Sequence, residues 1–192
     1  MKNLPLIRGH RAGAVFAYRE RQPIGVDRFL QDVAQLAALL PARRHILNLC
    51  EDRYHFAVGF CAALLQRQIS LLPPNHAPDL VAQLVEHYPD VYCLTDTAEK
   101  RVALHTLFYP APADAPCVPV EVPRIPAGQI AAIVFTSGST GQPVPNEKSW
   151  HALVRGAAAE LRRLGLGAFD NMAVLATVPP QHMYGLESSV LM

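Results

Sequence analysis

A chain of 192 residues with 51% apolar side chains has the material for one sizeable buried core, as one domain or as a large piece of a bigger one. Its 17 basic and 16 acidic residues are interspersed and leave a formal charge of +1, so no basic stripe points to nucleic acid and no block of like charge reads as an interaction tail. The four cysteines, Cys50, Cys61, Cys93 and Cys117, form no C-x-x-C pair, and three lie in apolar runs, which suits reduced core residues of a cytosolic protein. The start MKNLPLIRGHRAG is too polar for a signal peptide, and the longest strongly apolar run, Phe56 to Leu65, is about half the roughly 20 residues of a membrane span. The expectation is a soluble cytoplasmic protein with no membrane partner.

In chain order, AVFAYRE (Ala14 to Glu20) reads as a strand. Asp27 is then expected to cap a helix in which Leu30, Val33, Ala37 and Leu40 recur at helical spacing until Pro41 stops it. HILNLC (His45 to Cys50) reads as a short buried strand. Asp52 caps the following run RYHFAVGFCAALLQ, which is apolar on nearly every side and is therefore expected to pack between layers. ISLLP is strand-like, Pro78 to His87 a helix, and DVYCLTD (Asp90 to Asp96) another short strand. This alternation predicts an α/β fold with a mostly parallel sheet flanked by helices on both faces.

From Tyr109 to Pro126 the run YPAPADAPCVPVEVPRIP holds six prolines in eighteen residues, too many for a helix or a central strand. It reads as a stiff surface connection, either a linker or a segment crossing between two parts of one sheet, because Val118, Val120, Val122 and Ile125 alternate through it. QIAAIVF is the next buried strand. NEKSWHALVRGAAAELRRLG is expected to be a helix, with Trp150, Leu153, Val154, Ala157, Leu161 and Leu164 on one face and Gly165 at its end. NMAVLATV reads as a further strand.

Between the buried strand and that helix lies TSGSTG. Open α/β sheets bind ligands at the carboxyl end of a strand facing a helix amino terminus. Thr136, Ser137, Ser139 and Thr140 supply hydroxyl donors there, while Gly138 and Gly141 let backbone N–H groups converge on an anion. The alternative is a merely flexible Gly/Ser/Thr loop. No lysine follows Gly141, so this is not the nucleoside-triphosphatase loop, and neither G-x-G-x-x-G nor G-x-S-x-G is present.

The eight residues TSGSTGQP (Thr136 to Pro143) instead resemble the phosphate loop of the adenylate-forming superfamily, which includes acyl- and aryl-CoA synthetases. ATVPPQHMYGLESSVLM (Ala176 to Met192) is similar to that family's next motif, in which a strand ends and a histidine or aromatic residue begins a helix lining the acyl pocket. His182, Tyr184 and Gly185 occupy those positions. A more diffuse similarity reaches back to about Leu47. One departure stands out: the family's lysine just after the loop proline is replaced by Val144, and the nearest lysine is Lys148. Lys148 is expected in the first helical turn, where a cation opposes the helix dipole unless an anion is near. It is either a substitute for the missing lysine or a solvated surface residue.

The resemblance implies residues 1–192 to be the amino-terminal portion of an AMP-binding domain, with 109–126 a Pro-rich connection within it and the carboxy-terminal domain absent. It implies an AMP-forming acid–thiol ligase as the parent: ATP and Mg2+ activate a small carboxylic acid as acyl-AMP, and CoA or the phosphopantetheine of an acyl carrier protein accepts the acyl group. Thr136, Ser137, Gly138, Ser139, Thr140 and Gly141 would bind the nucleotide phosphates. His182 and Lys148 would be catalytic, and His182, Tyr184 and Gly185 would line the substrate pocket. The fragment alone is expected to be inactive and to self-associate. The alternatives are a short non-catalytic relative that binds phosphate or a partner, and an unrelated phosphate-binding α/β domain.

Overall fold

The computed structural model describes residues 2–8, 13–99, 102–111, 116–137, 143–166 and 172–192. Two short antiparallel pairs flank the main body. β1 (Asn3–Pro5) pairs with β8 (Arg124–Pro126), and β2 (Val15–Arg19) forms a hairpin with β3 (Gln22–Gly25). The hairpin turns on Glu20 and Arg21, both at positive φ (50° and 66°), the backbone that a tight two-residue hairpin requires. β3 runs straight into helix α1 (Val26–Leu39). Gly25, still extended and paired with Val15, is the N-cap, and the expected cap Asp27 lies inside the first turn. Its predicted apolar stripe is confirmed in Leu30, Val33 and Ala37, all buried.

The main sheet holds β4 (His45–Asn48), β5 (Ile69–Leu72), β6 (Tyr92–Thr95), β7 (Thr106–Phe108), β9 (Ile130–Ser137) and β10 (Pro143–Ser149), in the spatial order β10-β9-β5-β4-β6-β7. All neighbours are parallel except β10, which returns antiparallel along β9. The chain steps one way from β4 to β5 and then crosses β4 to reach β6, so the intervening helices α2 (Arg53–Leu65) and α3 (Pro78–His87) cover opposite faces.

Period-two alternation sorts each strand's side chains between two cores. Ile46, Leu72, Tyr92, Leu94 and Ala132 face the larger core with α1, α2 and the later helix α4 (Trp150–Arg163). Leu47, Leu71, Cys93, Ile133 and Phe135 face the smaller one, with Leu84 of α3. Helix α2 is buried nearly all round, as its apolar sequence predicts, and Asp52 caps it by accepting from the backbone N–H groups of Tyr54 (2.8 Å) and His55 (3.2 Å). Gly59 is required on α2 because a Cβ there would come within 2.7 Å of both Asn48 Nδ2 and Leu94 Cδ2. That close approach lets the buried Asn48 amide donate to the carbonyl of Phe56 (3.0 Å).

β7 lies at one edge of the sheet and β9 towards the other, and before β9 residues 116–129 pair with β1 and bury Ile125. Beyond β9 three expectations fail. Asn146 to Ser149 belong to β10, not to a helix: backbone pairing along β9 satisfies their N–H and C=O groups, and α4 begins only at Trp150 with Ser149 as its cap. Leu164, assigned to the buried face, is exposed beyond the helix end. Met172 to Val178 is not a strand among the described residues. β10 already occupies the open side of β9, so this segment finds no ladder, and Leu175 is 97% exposed. The chain closes with a short helix α5 (Met183–Gly185) and a π-helical turn Leu186–Val190.

Candidate functional site

The parallel strands all point their carboxyl ends the same way, and the loops leaving β4, β5, β6 and β9 gather there. β9 is the longest central strand and ends at Ser137, paired with Pro143 of β10. Thr136 and Ser137 therefore sit at this end of the sheet. Gly138, Ser139, Thr140 and Gly141 lie outside the described residues. The loop joins two strands of a hairpin, so the expected strand-to-helix geometry is corrected: the helix that follows, α4, starts at the opposite end of β9, where Trp150 N donates to Gln129 O (2.8 Å). No dipole from α4's amino terminus reaches the loop.

The same register relocates Lys148. It is paired with Ala132, five residues before Ser137, which at about 3.3 Å per residue is roughly 16 Å along the strand. Its charge acts on Glu187, the carboxylate that packs over Gly156 of α4. Burial raises the Glu187 pKa, nearby Glu160 raises it further, and Lys148 opposes both.

The second candidate group reaches the carboxyl end by a different route. Gln181 is buried and its Nε2 donates to the carbonyl of Cys50, just beyond β4 (2.6 Å). Arg53, the first residue of α2, donates through Nη1 to Ser189 Oγ (2.6 Å) and through Nη2 to the carbonyls of Val178 (2.6 Å) and Ala176 (3.2 Å). Three backbone or side-chain acceptors thus satisfy one guanidinium and fix a segment that has no strand ladder of its own. Together these ties set residues 176–190 over the end of β4, two strands from β9, or about 10 Å across the sheet. His182 is the exposed residue at the start of α5, and Tyr184 is exposed on it. Gly185 has a packing reason for its identity: a Cβ would meet the carbonyl oxygen of Pro179 at 2.1 Å.

Arg53 and Gln181 went unnoticed in the sequence, although an arginine opening an otherwise apolar helix was a signal. So did a polar network beside them. Asp96, after β6, accepts from the N–H groups of Glu51 (2.8 Å) and Asp52 (3.0 Å) and pairs with His55 Nδ1 (3.0 Å), whose ring stacks on Tyr109. Arg19 of the β2–β3 hairpin pairs with Asp52 (2.7 Å). Burial disfavours both carboxylates, yet these hydrogen bonds outweigh it and hold Asp52 and Asp96 below the usual carboxylate range. A cavity of about 180 Å³ opens alongside, between α1 and Tyr109. Its Asp32 is already held by Arg28 (2.8 Å) and by the Tyr54 hydroxyl (2.6 Å), so its charges are paired internally.

No family model matches the chain. Over 54 residues it is 43% identical to the 4-coumarate–CoA ligase of Rhodobacter capsulatus, a stretch covering 28% of this chain and 14% of that enzyme. Its fold matches o-succinylbenzoate-CoA synthetase of Bacillus subtilis in complex with an acyl-adenylate intermediate, with a TM-score of 0.79 at 18% identity over 100% of this chain and 43% of that one. The fold is that of the amino-terminal portion of adenylate-forming CoA synthetases. The same Bacillus enzyme with ATP and magnesium matches at 0.73 and 15% identity, over 99% of this chain and 55% of that one. The amino-terminal subdomain of Klebsiella oxytoca NpsA, in complex with 3-hydroxybenzoyl-AMSN, matches at 0.56 and 17% identity, over 76% of this chain and 39% of that one. The chain spans about half or less of the length of these relatives. The resemblance to these enzymes therefore holds in fold. Among the described residues no helix is long and apolar enough to cross a membrane.

Proposed function

We propose that this chain is the nucleotide-phosphate and acid-binding portion of an ATP-dependent acid–thiol ligase. The observation that carries the reading is the TSGSTGQP stretch leaving β9 at the carboxyl end of a sheet whose fold is shared with CoA synthetases. In this reading the hydroxyls and N–H groups of Thr136 to Gly141 hold the triphosphate of ATP and spread the charge of departing pyrophosphate. The donor set suits such a role: hydroxyl and amide groups bind phosphate oxygens, and among the described residues no cluster of three carboxylates, histidines or cysteines forms a closed metal cage. Mg2+ would then be held largely through the substrate's own phosphates and waters, its usual mode, and would supply charge neutralisation.

His182, Tyr184 and Gly185, seated two strands away by Arg53 and Gln181, form one wall of the acid pocket. The acceptor is a thiol, of CoA or of a carrier-protein phosphopantetheine. Lys148 takes no part in the triphosphate contacts; its place beside Glu187 makes it a charge partner of the terminal segment. Residues 1–192 form the amino-terminal portion of the AMP-binding domain, and 109–126 is its internal crossing segment.

The test is carboxylate-dependent ATP–pyrophosphate exchange, with aromatic and fatty acids, on the polypeptide extended by its downstream reading frame. Exchange is expected there and not in the 192-residue chain. Thr140→Val should lower it about tenfold to a hundredfold, the value of a charge-assisted hydrogen bond. Loss of the Thr140 effect would remove the loop assignment. Absence of exchange in every extended form would favour a non-catalytic phosphate-binding relative.

A further inference from the structure

Along the flank of α4 the chain carries a second feature, independent of the ligase reading. The amino-terminal segment and α4 enclose a groove of about 230 Å³ whose charged and titratable lining is wholly basic: Lys2 and Arg8 from one wall, His151, Arg155 and Arg162 from the other. Val154 and Ala158 lie between them, small enough to leave the space open. No carboxylate lines the groove. Among the described residues none of the salt bridges or side-chain hydrogen bonds involves any of the five basic side chains.

In a chain whose formal charge is +1, this concentration demands a reason. Arg162 in the last turn of α4 is explained by the helix dipole. Arg155 is not, being mid-helix, with neither helix end near it. Lys2 and Arg8 then bring two more cations to the same groove from another part of the chain. Mutual repulsion of these groups is a standing cost that a polyvalent anion between them would turn into attraction. The space is several times the roughly 30 Å³ share of one water, enough for a hydrated diphosphate or triphosphate.

The position separates this groove from the phosphate loop. Lys2 O accepts from Ala127 N (2.9 Å), and His151 N donates to Ala127 O (2.9 Å), so both walls are rooted before the start of β9. The loop leaves the other end of that eight-residue strand, about 25 Å away. We propose that the groove between the amino-terminal segment and α4 is a second anion site, which takes a diphosphate or triphosphate group on a soluble molecule or an anionic phosphate headgroup.

The test is calorimetric titration of the 192-residue chain with inorganic tripolyphosphate, with flotation on phosphatidylcholine vesicles containing phosphatidic acid as a second arm. Arg155→Ala/Arg162→Ala is expected to weaken binding at least about tenfold. Lys2→Glu, which leaves α4 untouched, should weaken it as well and guards against a variant that merely unfolds. Arg163→Ala, outside the groove, should leave it unchanged. Groove-dependent tripolyphosphate binding supports the site with a soluble ligand. Groove-dependent flotation without tripolyphosphate binding supports it with a headgroup. Binding in neither arm, or binding that follows Thr140 and ignores the groove variants, overturns the proposal.

Discussion

The centre of the sheet and the terminal segment obey different rules. β4, β5 and β6 are buried on both faces, and α2 packs over them with ten of its thirteen residues buried. Residues 176–190 lie over the end of β4 but are fastened by Arg53 and Gln181, with an exposed apolar approach at Met172 to Leu175. Area removed from water stabilises the first region; a handful of directional contacts places the second. The candidate residues His182, Tyr184 and Gly185 ride on the second, which is where a mobile wall of a binding site is drawn from.

The largest effect expected from this contrast is at the centre. Phe60→Ala empties a fully buried position on α2 and should lower global stability by about 3–5 kcal/mol, read from the urea midpoint. Arg53→Ala should cost less, about 1–3 kcal/mol, and should act locally. Hydrogen exchange is expected to accelerate across residues 176–190 while α2 stays protected. If the Arg53 variant instead unfolds α2 and the terminal segment together, the two regions are one cooperative unit and the contrast fails.

Acid should loosen the polar network at the amino end of α2. Asp52 and Asp96 titrate below their ordinary range in the folded chain, so the unfolded chain takes up protons first as the pH drops. Their contribution is complete above about pH 4, where unfolded carboxyls titrate, and drains away as the pH falls through the folded values. Asp96→Asn should lower stability at pH 7 by about 1–2 kcal/mol and flatten its fall in acid, measured as the urea midpoint against pH. A variant as acid-sensitive as the parent would place the titrating groups elsewhere. The smallest effect belongs to Lys148→Ala. Its stability change should stay within about 0.5 kcal/mol, and the Glu187 pKa, followed by carboxyl NMR, should rise as the opposing cation is lost. A large stability loss would make Lys148 a structural residue of β10.

The sequence by itself determined what local chemistry can encode. Helix α3 is legible because Pro78 suits a first helical position and Asp79 its first turn; α2, because Asp52 precedes an apolar run too uniform for a surface helix. The buried strands follow from short β-branched and apolar runs between turns, and the TSGSTGQP stretch carries its family resemblance in eight consecutive residues. Tertiary structure decided what depends on a neighbour. Asn146 to Ser149 look helical until β9 offers a ladder, Met172 to Val178 look like a strand until no ladder is offered, and Gly25 caps α1 because β2 holds it extended. The hairpin at Glu20 and Arg21 carries no Asn-Gly signal, and Arg19 beside it is tied to Asp52, thirty-three residues away. A side chain's own preferences act over one or two turns of chain, whereas the partners that satisfy a strand edge, a guanidinium or a buried amide come from segments that only folding brings together.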